Sequence, residues 1–189
     1  MTNPTITAAT LANLSGTYVL DPAHTRIGFV ARHAMVTKVR GQFNDFEGGG
    51  VVDASDFTKS TVTVTIQAAS IDTRNEQRDA HLRSNDFLAM EEYPQITFTS
   101  TGIQQTGPTS VELTGDLTIR GVTNTVTIPF EFEGAATDPY GNLRVGFEGS
   151  VVIDRKDYGV TWNVALETGG VLVSEKIQLE FEVSAIKNA

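Results

Sequence analysis

The sequence predicts an all-β fold in which about eight principal antiparallel strands form a curled or closed sheet. Three observations carry that expectation. Apolar and polar residues alternate through most of the chain, the pattern of strands with one dry and one wet face. Turn-forming stretches separate the runs: "DPAH" at Asp21, "FEGGG" at Phe46, "TGPTS" at Thr106, "IRGVTN" around Gly121 and "DPYGN" at Asp138. A single segment, from Ile71 to Pro94, breaks the alternation.

In chain order, "RIGFVARHAM" places Ile27, Phe29, Ala31 and His33 on one face, and "TVTVTIQ" places Val62, Val64 and Ile66 opposite three threonines and a glutamine. The break "IDTRNEQRDAHLRSNDFLAMEEYP" combines helix formers, apolar Leu82 and Phe87, and a proline stop, which predicts a short helix followed by a helical turn. Asn75 is the expected cap of the first piece and Asn85 or Asp86 of the second. Set between two strands, the insertion would plug an open barrel end with Phe87, Leu88, Met90 and Tyr93. Alternation then resumes: Ile96 and Phe98; Val111, Leu113, Gly115, Leu117 and Ile119; Val126, Ile128, Phe130 and Phe132; Val145, Phe147, Gly149, Val151 and Ile153; and Ile177, Leu179, Phe181 and Val183. Several runs approach ten residues against the usual five or six, and long strands with one polar face favour a sheet that curls or closes. Alternation leaves open whether the dry face meets a second sheet or surrounds a guest.

With 189 residues, 40% hydrophobic and 20% charged, the chain is sized for one globular core. An alanine- and threonine-rich arm is expected over residues 1–15 and the domain over 16–189. The 14 Lys and Arg against 23 Asp and Glu give a formal charge of −9, which opposes phosphate backbones and anionic lipid surfaces, so nucleic acid is not an expected partner. There is no cysteine, hence no disulfide framework and no thiolate chemistry. The opening "MTNPTITAATLANLSG" lacks a basic n-region and an unbroken apolar run, and no stretch is long enough to span a bilayer, so the default location is cytoplasmic.

His24, His33 and His81 are the side chains that titrate near neutrality. Their wide separation gives no metal-ligand spacing, and no metal or cofactor is expected. His24 reads as closing the turn after "DPA" and His81 as a hydrogen-bonding group near the plug. His33 shares a face with Phe29 and Ala31, which points it inward, as a satisfied core histidine or as a contact for the polar end of an apolar ligand. No nucleophile elbow, Walker loop or dinucleotide fingerprint is present. Arg78 and Arg83, beside Asp79 and Asp86, read as a self-neutralising network pinning the helix, and Trp162 as core or cavity lining.

Four stretches, "YVLDPAHTRIGFVARHAMVTKVRGQFNDFEGG", "IDTRNEQRDAHLRSNDFLAMEEYPQITFTST", "LTGDLTIRGVTNTVTIPFEF" and "IDRKDYGV", resemble in order and spacing the signatures of the YceI-like family, from roughly Gly16 to Ala185. The resemblance implies a lipocalin-like, extended antiparallel β-barrel whose pore holds an amphiphile with a long isoprenoid tail, a polyprenyl phosphate or a quinone. It implies no catalytic residues. Many similar proteins carry a signal peptide that is missing here, which again indicates the cytoplasm. A ten-residue strand tilted by about 40° covers roughly 26 Å of barrel axis, room for about five extended isoprene units.

The expected function is therefore non-catalytic binding, sequestration or delivery of such a lipid. Its expected contacts are Ile27, Phe29, Ala31, His33, Val62, Val64, Ile66, Ile96, Phe98, Leu117, Ile119, Val126, Ile128, Phe130, Phe147, Val151 and Trp162. The alternatives are an enzyme acting on the lipid with His33 as acid or base, and an interaction module with a filled core. The oligomeric state stays open, a homodimer included.

Overall fold

Among the described residues the β-branched and aromatic runs form eleven strand segments: β1 (Gly16–Leu20), β2 (Arg26–His33), β3 (Thr37–Phe43), β4 (Phe46–Val52), β5 (Thr61–Gln67), β6 (Ile71–Asp72), β7 (Gln95–Gln105), β8 (Ser110–Ile119), β9 (Val122–Thr137), β10 (Leu143–Asp154) and β11 (Lys176–Lys187). One helix, α1 (Glu76–Arg83), stands between β6 and β7. The computed structural model describes residues 14–188. The arm expected over 1–15 lies outside them except for Leu14 and Ser15; Leu14 is buried, and its carbonyl accepts the Tyr18 hydroxyl at 2.8 Å.

All segments belong to one antiparallel sheet, and the sheet closes. β1 and β2 are two halves of one kinked strand, because both pair with β11, at Ala185–Lys187 and Gln178–Glu182 respectively. The five residues between them loop out opposite Ser184, which bonds to Asp21 and to the Thr25 hydroxyl. β3 with β4 and β5 with β6 continue each other in the same way, each lying along its neighbour in turn. Counted so, the wall is an eight-stranded up-and-down barrel, β11 returning to β1. In β4, Gly49 and Gly50 permit the sharp coiling that closure demands, since a Cβ on either would strike a carbonyl oxygen of the adjoining strand, Tyr18 or Thr61.

At one end gather α1, the β2–β3 and β8–β9 turns and the long β10–β11 connection, residues 155–175. Asn75 caps α1 as expected, accepting from the Arg78 amide at 2.9 Å. The second helical piece does not form. Residues 84–93 are a run of turns in which Ala89 takes a left-handed φ of 48°, incompatible with a continuing helix, and neither Asn85 nor Asp86 caps anything. The arginines at this end are spent on carbonyls more than on aspartates. Arg78 holds the carbonyl and hydroxyl of Thr73, Arg83 reaches the Ala69 carbonyl and Glu76, and Arg120 holds the Asn85 and Phe87 carbonyls, both at 2.7 Å. Asp79, buried, accepts from the Thr73 amide instead. The plug is thus stapled to the wall. Among the described residues no helix is long and apolar enough to cross a membrane.

At the opposite end Asp138 closes the β9–β10 turn. It accepts from the amides of Tyr140 (2.9 Å) and Asn142 (3.0 Å) and from Arg144 Nε (2.9 Å), while Arg144 also donates to Asp21 at 2.5 Å. The Asn142 amide, with Arg144 behind it, lowers the Asp138 carboxyl from 3.8 to about 2. A depressed folded-state value contributes stability that is present above pH 3.8 and lost as pH falls toward 2. Asp138→Asn is expected to melt lower than the parent at neutral pH and to show a shallower fall in Tm across that acid window, measured by thermal melts against pH.

Candidate functional site: an apolar cavity inside the barrel

Inside the closed wall lies a cavity of about 370 Å³, within the range of small-molecule sites. Thirteen of the seventeen side chains expected to contact a ligand line it: Ile27, Phe29, Ala31, Val62, Val64, Ile66, Ile96, Phe98, Leu117, Ile119, Ile128, Phe130 and Phe147. Four do not. His33, expected to point inward, stands exposed at the end of β2, bridged to Val173; alternation gives its side of the strand correctly, but the strand has already run past the wall. Trp162 packs outside the cavity, its ring 4.7 Å from His81 and 5.3 Å from Phe87. Val126 and Val151 are half-buried and pack against the same core cluster, but they are not part of the cavity lining.

Other lining residues come from places where periodicity is silent. Leu82, Phe87 and Leu88 of the insertion close one end; Met90 packs behind them and Tyr93 lies over Gly121. Ile103 reaches the lumen because a bulge at Thr101 shifts the register between Ser100 and Gly102, reversing the faces. Leu179 and Phe181 on β11 were visible as an inward row and complete the wall.

The cavity is hollow for a local reason. Three of its phenyl rings lie in slots left by glycines on the adjoining strand: Phe29 over Gly41, Phe130 over Gly149, and Phe98 over Gly115. A Cβ built on Gly149 would sit 2.6 Å from the Phe130 ring, and one on Gly115 2.5 Å from the Phe98 ring. Each ring therefore lies along the wall, where a side chain opposite would have turned it toward the axis.

Polar side chains in the lining turn their polar atoms into the wall. Thr25 donates to the Ser184 carbonyl and the Ser60 hydroxyl accepts from the Asp53 amide. Arg155, 6% exposed, donates to the carbonyls of Ser174 (2.8 Å), Val160 (2.8 Å) and Val173 (3.3 Å). Burial pushes its guanidinium below the ordinary value, opposed by Glu175 and Asp154, and an arginine stays protonated regardless. Tyr158, 2% exposed, has a hydroxyl without a hydrogen-bond partner among the described residues, and burial raises its pKa. Because Arg155 holds the 155–175 connection by three carbonyls, Arg155→Met is expected to cost about 2–4 kcal/mol and to speed hydrogen exchange in that connection.

His24 is bound to Asp21 at 2.7 Å and His81 to Asp86 at 2.9 Å. Among the described residues no three histidine or carboxylate side chains converge as a metal site.

A closed antiparallel barrel round an apolar cavity, one end plugged by its own helical insertion, places this protein in the class of hollow up-and-down barrels. A family model described as the YceI-like domain matches residues 18–185, and the chain belongs to that family. A UPF0312 protein of Staphylococcus aureus strain MSSA476 is 38% identical over 169 residues, spanning 89% of this chain and 95% of that protein. Among solved structures, Burkholderia cenocepacia BcnA superposes with a TM-score of 0.77 at 25% identity, over 87% of this chain and 98% of that one. The Campylobacter jejuni YceI protein gives 0.70 at 30% identity, over 84% and 90%. A polyisoprenoid binding domain from Saccharophagus degradans, implicated in plant cell wall breakdown, gives 0.69 at 15% identity over 90% and 98%, a likeness of fold.

Proposed function

We propose that this protein binds a long-chain isoprenoid lipid, a polyprenyl phosphate or an isoprenoid quinone, with the tail inside the barrel, and sequesters or delivers it without chemical change. The observation that carries this reading is the hollow, apolar lumen whose phenyl rings are laid into glycine slots. The polar atoms of Thr25, Ser60 and Arg155 are already taken by backbone groups, so the lumen suits hydrocarbon and the head group belongs at a mouth. A twelve-residue strand such as β10 at a tilt of about 40° covers roughly 31 Å of axis, or about six extended isoprene units. The name of the Saccharophagus domain, whose fold is similar, agrees with this choice of guest. The enzyme alternative needed His33 beside the guest; the exposed ring stands outside the lining, and the reading assigns no catalytic residue.

The test is extraction of protein purified without detergent into organic solvent, followed by mass spectrometry. A prenyl lipid in near-stoichiometric amount is expected. An empty extract together with failure to take up added prenyl lipid would overturn the reading.

A further inference from the structure

The charge of this protein is unevenly placed. Between Asp21 and Asp45 the sequence has no acidic residue, yet it carries four of the 14 Lys and Arg: Arg26, Arg32, Lys38 and Arg40. Arg26 is paired with Glu180, and Arg40 lies 3.9 Å from the same carboxylate. Arg32 and Lys38 have no salt-bridge partner among the described residues and are directly opposite each other across the β2–β3 hairpin, both exposed. Like charges at directly opposed positions repel, so this pair is unfavourable in the isolated chain and favourable once an anionic surface lies against it.

The tip between them is apolar. Met35 is 62% and Val36 75% exposed, and Val164, on the neighbouring connection, is 45% exposed. Ala34 and Met35 both take left-handed backbone, φ 50° and 63°, in a turn closed by the Val36 amide on the His33 carbonyl at 3.0 Å. Glycine or asparagine is the ordinary occupant of such positions; here one of them holds out a methionine. The tip is braced, since the Ala34 amide donates to the Leu172 carbonyl at 2.7 Å and the Met35 thioether lies against Gly170. It stands at the plugged end of the barrel.

We propose that the β2–β3 hairpin is a membrane-docking element, with Met35 and Val36 entering the interface of an anionic lipid bilayer and Arg32 and Lys38 meeting its head groups. Apolar tips flanked by cations are what such surfaces retain. The overall charge of −9 acts against this only at range, because charges more than about 10 Å away are screened at 0.1 M salt. A polyanion such as nucleic acid would reward the cations but leave Met35 and Val36 in water. Glu167, exposed on the adjacent connection, and Glu91 and Glu92, exposed on the plug at the same end, are acidic groups that the surface must tolerate, Glu167 being the one on the connection that braces the tip. The proposal concerns where the barrel sits and is independent of what fills it.

The test is flotation of the full chain with vesicles of phosphatidylcholine alone or containing roughly 30% phosphatidylglycerol. Binding to the anionic vesicles only, weakened by 1 M salt where the screening length falls to about 3 Å, is expected. Arg32→Glu with Lys38→Glu should weaken it roughly tenfold or more, Met35→Ser with Val36→Ser should also weaken it, and Glu167→Lys should strengthen it. All these residues are exposed, so melting temperatures should hold. Undiminished binding by the charge-reversed variant, equal binding to neutral vesicles, or retention by nucleic acid without vesicle binding would overturn the proposal. Prenyl-lipid uptake from ethanol is measured on the same variants. Loss of uptake with vesicle binding intact would remove the cavity reading alone, and the converse would remove the docking alone.

Discussion

Val64→Asp and Phe98→Asp are each expected to reduce prenyl-lipid loading by about two orders of magnitude or more while the barrel still folds. The two residues are register partners on β5 and β7 and both line the cavity. The Thr25 and Arg155 donors of the lining are already spent on backbone carbonyls, so a carboxylate at either place meets no free cation and at most the neutral Tyr158 hydroxyl. In the empty barrel water can enter and solvate it, or the group can take up a proton; a hydrocarbon tail removes the water, so the penalty falls on the loaded state. That penalty is of the order of several kcal/mol, and about 3 kcal/mol already corresponds to roughly a hundredfold in affinity. Val64→Leu is the control, expected to load normally. The measurement is bound lipid per chain after extraction, beside a thermal melt. Normal loading by a folded Val64→Asp variant would remove that residue from the lipid's path.

Gly115→Ala is expected to lose both stability and loading, and Phe98→Leu in the same chain to restore the part of each that the ring clash causes, the contact with the Thr99 carbonyl remaining. The added methyl would come within 2.5 Å of the Phe98 ring and of the Thr99 carbonyl oxygen, so the ring must swing toward the barrel axis or the strands must part. Overpacking of this kind costs about 1–3 kcal/mol. Leucine in place of Phe98 vacates the slot, and side chains in direct contact couple by about 0.5–3 kcal/mol in a double-mutant cycle. The expected sign is a double variant more stable than the sum of the single losses. Strict additivity in both melting and loading would show that Phe98 does not depend on the slot at Gly115, and the account of the hollow lumen would fail with it.

The sites of the two predictions differ in how far the sequence discloses them. That Val64 and Phe98 face inward follows from period-2 alternation, which is local and independent of where a strand pairs. That Phe98 lies over Gly115 is a matter of register between two strands, and register follows from turns and bulges. The bulge at Thr101 shows the same limit from the other side. Counting alternately from Ile96 puts Ile103 outside, and the extra residue brings it in. His33 fails for a different reason, because parity carries no information about where a strand leaves the wall. The insertion was legible as a helix capped by Asn75, but the irregular run after it was not, since its Asn85 and Phe87 carbonyls are held by Arg120, remote in sequence. Net charge was legible and its placement was not: an average over the chain conceals a stretch of more than twenty residues without an acid.

By itself the sequence determined the all-β class, the inward set on most strands, the position of the plug and, through motif resemblance, the family. These depend on side-chain chemistry repeated at short range. Only the tertiary structure decided that the sheet closes, that paired segments such as β1 and β2 are one kinked strand, that phenyl rings lie in glycine slots and leave a lumen, and that Arg32 and Lys38 stand opposed beside an exposed apolar tip. Those are properties of pairing between strands, and pairing is fixed by closure of the whole barrel, which no single stretch of sequence contains.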